Sequence, residues 1–181
     1  DKEWKAIGVN HHLLRQGIHE PEAFIEESKN PEGICFVGSD VPWSENRVRL
    51  LRFLPSVFGS QYHRYGQGNF GHIRGIDLNK LFAVRKVAVG DSYPSPGYWS
   101  NRVYETIGRG GFYLHHGGLS DFDEYRHYVP YADLAELKEV IDYYLDPAHE
   151  EEREQIRREG HKFCVERYTY KHRCIELCKI I

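Results

Sequence analysis

Short apolar runs that alternate with helix-like segments limit most strongly how this chain can fold. Residues 34–37, 86–89 and 112–114 are largely apolar, and glycine follows each run within three residues. Runs this short and uniform are typical of strands that are buried on both faces. The alternation predicts an α/β fold, a Rossmann-like parallel sheet with helices on both faces. In such sheets, ligands bind outside the carboxyl ends of the strands.

Serine and aspartate mark the starts of three predicted helices. Ser44, Ser100 and Asp133 each precede a segment with apolar residues at helical spacing. The side chain of each can accept a hydrogen bond from a first-turn N–H. The first helix is predicted to bury an apolar stripe that starts at Val48 and to leave Arg47 in solvent.

A long charged helix is predicted over residues 150–167, followed by a short last helix. The arginines of the long helix alternate with glutamates, which is typical of a solvated face crossed by ion pairs. The arginines that alternate in this way are Arg153, Arg157 and Arg158. Cys174 and Cys178 share one face of the last helix and are predicted to pack against the core as small apolar side chains.

Charge and hydropathy exclude several classes of protein. The chain has 24 lysines and arginines against 27 aspartates and glutamates, a net charge of −3, whereas general nucleic-acid binders carry a basic excess. No apolar run approaches the ~20 residues of a membrane span. The four cysteines lack the spacing of a disulfide framework. A reducing, cytoplasmic compartment is therefore predicted.

Residues 91–111 form the most informative segment of the sequence. A predicted strand ends here, a loop over residues 92–100 carries Pro94 and Pro96, and a helix follows. A helix that starts at the carboxyl end of a strand presents free N–H groups and the positive end of its dipole. Such a helix start favours an anion, most often a phosphate.

Two side chains strengthen this prediction of a phosphate site. Arg102, in the first turn, would add a planar cation suited to phosphate oxygens. Glu105 lies one turn further, where a carboxylate can accept hydrogen bonds from ribose hydroxyls. The spacing alone is equally consistent with an ordinary capped helix whose Arg102 and Glu105 form a surface ion pair.

Residues 87–112 resemble the donor-binding segment of GT-B glycosyltransferases, in particular the group-1-like set that includes spore-maturation-type proteins. The pattern of that family is a strand, a serine- and proline-rich loop, a phosphate-contacting helix start and a ribose-binding glutamate before a small-residue turn. In this sequence it reads Val-Gly-Asp-Ser at 89–92, Ser-Asn-Arg at 100–102, Glu105, and Gly-Arg-Gly-Gly at 108–111. A weaker likeness extends over most of the chain.

The resemblance implies binding roles for six residues. Those at the helix start would contact the diphosphate, the glutamate would contact the ribose, and a Gly-Ser turn after the first strand would face the same crevice. The six are Gly38, Ser39, Ser100, Asn101, Arg102 and Glu105. No cofactor and no metal are expected, because the helix N-terminus and the arginine can neutralise the diphosphate. The donor substrate would be a nucleoside-diphosphate sugar.

One position departs from the family pattern. Many relatives carry two glutamates eight positions apart, the first of which contacts the transferred sugar. Eight residues before Glu105 lies Gly97. The sugar of the donor therefore stays unassigned.

The resemblance implies the C-terminal half of a GT-B architecture. The sequence starts at Asp1 and contains no methionine, so a missing N-terminal half is expected. Residues 1–30 are interpreted as a linker or remnant of that half, and residues 31–181 as a nucleotide-sugar-binding Rossmann-like domain. The predicted activity is that of a hexosyltransferase-like enzyme that moves a glycosyl group to an unknown acceptor and is inactive as this isolated half.

Two alternatives stay open: a non-catalytic nucleotide- or glycan-binding module of the same fold, and a nucleotide-sugar epimerase. His115 and His116 are predicted to face solvent in a loop, with a role near the sugar or phosphate as the alternative. Asp121 and Asp123 have the spacing of a metal–diphosphate motif. They follow a Gly-Gly-Leu loop away from the helix start, so no metal is predicted there.

Overall fold

A computed structural model describes residues 6–8, 12, 14–39, 44–66, 71–93 and 97–180. The predicted loop prolines, Pro94 and Pro96, lie outside these residues. The described strands form one five-stranded parallel sheet in the order β2-β1-β3-β4-β5. They are β1 (Ile34–Gly38), β2 (Tyr62–Gly66), β3 (Val87–Gly90), β4 (Tyr113–His116) and β5 (Val129–Tyr131). The predicted α/β, Rossmann-like parallel sheet is confirmed.

Six α-helices accompany these strands in the described part of the chain. They are α1 (Glu45–Phe58), α2 (Ile76–Val84), α3 (Asn101–Gly108), α4 (Leu134–Leu145), α5 (Glu150–Arg167) and α6 (Tyr170–Ile180). Short 3-10 turns occur at Glu20–Glu22, Gly59–Gln61 and Pro147–His149. Among the described residues, no helix is long and apolar enough to cross a bilayer.

The two faces of the sheet carry two separate apolar clusters. Alternate strand residues point to opposite faces. One cluster joins Cys35 and Ala88 of the strands to side chains of α2 and α3. The other joins Phe36 and Val89 to side chains of α1 and α4. Helices therefore cover both faces, as the uniformly apolar strands predicted.

Helix α1 begins as predicted but buries a different stripe. Ser44 is its N-cap and accepts a hydrogen bond from the Arg47 N–H at 3.1 Å. The buried side chains are Arg47, Leu50, Leu54 and Phe58. The prediction that Arg47 faces solvent is wrong, because its guanidinium donates to the buried carboxylate of Asp91 at 2.9 Å.

Of the three α5 arginines that were predicted to lie on a solvated face, two are buried. Arg153 donates to the backbone carbonyl of Lys86 at 3.1 Å. Arg157 donates to the carbonyl of Gly110 at 2.6 Å and to that of Glu26 at 3.0 Å. Arg158 is exposed as predicted. The predicted ion pairs with glutamates are present for all three arginines.

The cysteines of α6 correct a further prediction. Cys174 and Cys178 are exposed and do not pack against the core, whereas Cys35 and Cys164 are buried. Burial raises the pKa of the Cys35 and Cys164 thiols to about 12. The buried pair therefore behaves as small apolar side chains, and the exposed pair does not.

The segment before β1, from Ile18 to Phe24, is held by hydrogen bonds to the helices of the domain. Ile18 is buried and pairs with the start of α6: its N–H donates to the Tyr168 carbonyl at 2.8 Å, and its carbonyl accepts from the Tyr170 N–H at 3.0 Å. Further on, the side-chain amide of Asn79 donates to the carbonyls of Glu22 and Phe24 at 2.9 and 2.7 Å. Contacts of this segment thus reach both α6 and α2.

Candidate functional site

The predicted phosphate-binding helix is α3, and it begins where the sequence indicated. Ser100 is the N-cap and its side chain accepts a hydrogen bond from the Arg102 N–H at 3.2 Å. Trp99 and Tyr104 flank the first turn, and the indole N–H of Trp99 donates to the Tyr104 hydroxyl at 2.8 Å. Because Trp99 is buried, this contact fixes the angle at which the chain enters the helix.

A cavity of about 510 Å³ opens at the carboxyl ends of β1 and β2, beside α3. Four of the six predicted binding residues line it: Gly38, Ser39, Arg102 and Glu105. Ser100 and Asn101 are not among its lining residues. The remaining lining residues are Glu22, Val37, Gly66, His72, Ile73, Arg74, Gly75, Leu78 and Arg109.

Arg102 and Glu105 form an ion pair in the wall of this cavity. A guanidinium nitrogen lies 2.6 Å from a carboxylate oxygen, and both side chains are about a quarter exposed, at 28% and 25%. The ordinary i,i+3 pair that the spacing allowed is therefore present. It lies inside a cavity at the end of the sheet, so both groups are within reach of a ligand there.

Several buried polar atoms near the carboxyl ends of the strands have no hydrogen-bond partner among the described residues. They include Oγ of Ser39, Oδ1 of Asn101 and the hydroxyl of Tyr113. Such atoms are uncommon in folded proteins. Tyr113 lies so close to β3 that a Cβ at Gly90 would approach its hydroxyl to 2.0 Å, so only glycine fits there. Of the three residues with such atoms, Ser39 lines the cavity.

His115 and His116 both lie in β4, so the prediction that they are loop histidines is wrong. His115 is also only 3% exposed and does not face solvent. Its Nε2 lies 2.9 Å from Oγ of Ser92, and its Nδ1 lies 3.1 Å from the carbonyl oxygen of Gly117. Burial lowers the pKa of His115 to about 4. The ring is therefore neutral at neutral pH.

Arg47 is a site-supporting residue that sequence reasoning missed. Besides Asp91, it donates to the carbonyl of Ser39 at 3.0 Å, so it joins the turn after β1 to the turn after β3. Arg47 precedes Leu50, Leu54 and Phe58 at three- and four-residue spacing, so it lies on the same face of the helix as these apolar residues. This spacing was the signal in the sequence that could have revealed its burial.

Arg109 is a second missed residue, and it joins three walls of the cavity. Its buried guanidinium donates to the Gly75 carbonyl at 3.1 Å and to Oδ1 of Asn79 at 2.8 Å. It also forms an ion pair with Glu22. The segment before β1, the start of α2 and the end of α3 are thereby held together.

Metal-ligating side chains are not grouped in the part of the chain that the structure describes. No set of three or more histidines, cysteines, aspartates or glutamates within it is arranged to hold a metal ion. The cavity is lined instead by arginines and glutamates, together with backbone groups of its glycines.

Fold and site together define a parallel α/β domain of the kind that forms the C-terminal half of GT-B glycosyltransferases. The model of a family described as "Glycosyl transferase-like" matches residues 24–179, and the chain belongs to this family. A search of curated proteins found no match.

Solved structures have the same fold at low sequence identity. HepE of Anabaena, in complex with UDP and glucose, gives a TM-score of 0.73 at 10% identity over 98% of this chain and 59% of HepE. Sucrose-phosphate synthase of Thermosynechococcus elongatus gives 0.70 at 12% identity over 99% of this chain and 54% of the synthase. The C-terminal domain of a group 1 family glycosyltransferase of Francisella tularensis gives 0.54 at 7% identity, over 84% of this chain and 99% of that domain. This chain thus spans less than two thirds of the first two structures.

Proposed function

We propose that this chain is the donor-binding half of a glycosyltransferase that moves a glycosyl group, a hexosyl group in particular, from a nucleoside-diphosphate sugar to an acceptor. The proposal rests chiefly on one observation: Arg102 and Glu105 line the same cavity as the Gly38-Ser39 turn. Family membership and the structural neighbours that contain UDP support it.

The roles proposed for the site follow from charge. The N-terminus of α3, with Ser100 and Asn101, and the guanidinium of Arg102 hold the diphosphate. Glu105 accepts hydrogen bonds from the ribose hydroxyls. When the bond between the anomeric carbon and the diphosphate oxygen breaks, negative charge develops on the leaving diphosphate. N–H groups that are already held in position stabilise that developing charge more than they stabilise the intact nucleotide sugar.

The remaining parts of the proposal concern what surrounds the site. The acceptor and the catalytic base belong to an N-terminal half, joined through residues 1–30, and the chain alone binds the donor but transfers its sugar slowly at most. The helix N-terminus and Arg102 replace a metal ion. The free thiols of all four cysteines support a reducing, cytoplasmic location.

Calorimetry with a panel of nucleoside diphosphates and the matching nucleosides tests the site. We expect the chain to bind one diphosphate more tightly than the others, and Glu105→Gln to weaken both that diphosphate and its nucleoside about 10-fold. Glu139→Gln, at an exposed glutamate of α4, is the matched control. Equal, weak binding by wild type, variant and control would contradict the ribose assignment.

Product analysis with the intact parent protein separates the proposal from its rivals. A transferase releases nucleoside diphosphate and modifies an acceptor. An epimerase converts the sugar of the donor without any acceptor, and a non-catalytic module binds the nucleotide without either product.

A further inference from the structure

Three hydrogen bonds link the turn after β4 to the first residue of the proposed diphosphate site. Nδ1 of His115 lies 3.1 Å from the carbonyl oxygen of Gly117. Nε2 of the same ring lies 2.9 Å from Oγ of Ser92. The backbone N–H of Ser100 donates to that Oγ at 3.0 Å. These bonds join β4, the segment after β3 and the N-cap of α3.

The direction of each bond follows from what each group can accept. A carbonyl oxygen only accepts, so Nδ1 of His115 carries the proton and Nε2 of the neutral ring is an acceptor. The Ser92 hydroxyl therefore donates to Nε2 and accepts from the Ser100 N–H. Because burial keeps the ring neutral at neutral pH, this order of donors and acceptors is fixed.

The segment that carries Ser92 is itself anchored on its other side. Asp91 immediately precedes it, and the buried carboxylate accepts a hydrogen bond from Arg47 at 2.9 Å. The position of Ser92 is thus fixed relative to α1 and β3, as well as to β4. Its hydrogen bond with the Ser100 N–H in turn fixes the position of Ser100.

We infer that Ser92 and His115 are positioning residues that set the N-terminus of α3 for diphosphate binding. The inference rests on the proposed function. Neither residue lines the cavity, and both act through Ser100, whose side chain caps the Arg102 N–H. Displacing binding groups by about 1 Å costs much of their effect, so a helix start released from Ser92 would bind phosphate less tightly.

Titration with two probes separates positioning from a merely structural role. The probes are a nucleoside diphosphate and the matching nucleoside, added to the 181-residue chain in a calorimeter. Ser92→Ala removes both hydrogen bonds of the hydroxyl. It is expected to weaken diphosphate binding about 5- to 10-fold and to leave nucleoside affinity unchanged. Ser92→Thr retains a hydroxyl and is expected to bind the diphosphate as wild type does.

Substitution of the neighbouring histidines supplies a matched pair. His115→Gln is expected to lower diphosphate affinity selectively, as Ser92→Ala does. His116→Gln, at the next residue of β4, which contacts the Ala132 carbonyl at 3.1 Å, is expected to change neither affinity. If His115→Gln fails to fold, Ser92→Ala decides the question.

Two results would overturn the inference, and they are distinguishable. If wild type prefers the diphosphate but Ser92→Ala weakens both probes equally, or neither, the positioning role is wrong and the proposed function stands. If wild type does not prefer the diphosphate over its nucleoside, the proposed function fails and the inference fails with it.

Discussion

At the amino ends of the strands, Arg153 and Arg157 are buried and donate to backbone carbonyls, whereas at the carboxyl ends Arg102 lies beside a cavity. The Arg157 guanidinium contacts the carbonyls of Gly110 and Glu26. Among the described residues, the charged partner of the Arg102 guanidinium is the side chain of Glu105. Arg157 is therefore held by backbone carbonyls as well as by a carboxylate, whereas the contact described for Arg102 is with a side chain.

This difference indicates which arginines are available to a ligand. A backbone carbonyl cannot turn away, so an arginine that satisfies two of them is part of the fold. The partly exposed carboxylate of Glu105 can rotate away from Arg102, and a phosphate oxygen can then take its place as the partner of the guanidinium. We therefore expect substitution of Arg157 to change stability and substitution of Arg102 to change binding.

The largest expected effect is on stability, at Arg157. Arg157→Leu leaves two backbone carbonyls and the Glu154 carboxylate without their cation, and is expected to lower the free energy of unfolding by about 3 kcal/mol. Arg158→Leu, at the exposed neighbour, is expected to change it by less than about 0.5 kcal/mol. Urea unfolding measures both. Equal effects at the two positions would break the distinction between structural and available arginines.

The next effect concerns pH and sharpens the contrast at the carboxyl ends. Burial lowers the pKa of His115 to about 4, whereas an unfolded histidine titrates near ~6.5. Between these values the unfolded chain binds a proton that the folded chain does not. The contribution of His115 to the free energy of unfolding is therefore expected to fall by about 3 kcal/mol as the pH falls from ~6.5 to ~4.

Variants of the two adjacent histidines check this pH dependence. His115→Gln is expected to make the profile less steep, and His116→Gln is expected to leave its slope unchanged. The Asp91 carboxylate raises the pKa of His115 and the His116 ring lowers it, both by less than burial does. The free energy of unfolding of wild type and both variants is measured by chemical unfolding from ~pH 7.5 to ~4. A profile that His115→Gln leaves unchanged would contradict the assigned pKa.

Arg102→Gln is expected to act on binding and not on stability. Loss of a charge-assisted contact with phosphate lowers nucleoside-diphosphate affinity about 10- to 100-fold. The free energy of unfolding changes by less than about 0.5 kcal/mol because the pair with Glu105 is partly exposed. The control is Arg126→Gln, which removes an exposed pair with Glu159. A large loss of stability with unchanged affinity would reverse the comparison.

The smallest expected effect compares two helix caps. Ser100 caps α3 beside the cavity, and Asp133 caps α4, where it accepts from the N–H groups of Ala135 and Glu136. Each alanine variant is expected to lower the free energy of unfolding by about 1 kcal/mol. Only Ser100→Ala is expected to weaken diphosphate binding as well. Thermal unfolding measures the stability of both variants, and calorimetry measures their diphosphate affinity. Weaker binding by Asp133→Ala as well would contradict the prediction.

Local signals accounted for much of the fold. β1 and β3 follow from short apolar runs, and the caps at Ser44, Ser100 and Asp133 follow from side chains that satisfy N–H groups a few residues away. β5 escaped prediction because it has three residues and carries Pro130, which suits an edge strand but removes a donor from the ladder.

The candidate site was predictable only in part. Arg102 and Glu105 lie on consecutive turns of one helix, so their proximity follows from helical geometry. The burial of Arg47 and His115 depends on partners 44 and 23 residues away in the chain. Arginine is rarely buried unless it has such partners. No local sequence pattern indicates which distant residues those partners are.

The sequence by itself determined the parallel α/β class and the helix start at Ser100, because apolar periodicity and capping act over a few residues. Only the tertiary structure decided which charged and polar side chains are buried, and which of them face the cavity. The reason is physical: burying an arginine or a histidine costs free energy unless distant groups provide its hydrogen bonds. Those groups come together only when the strands and helices have packed.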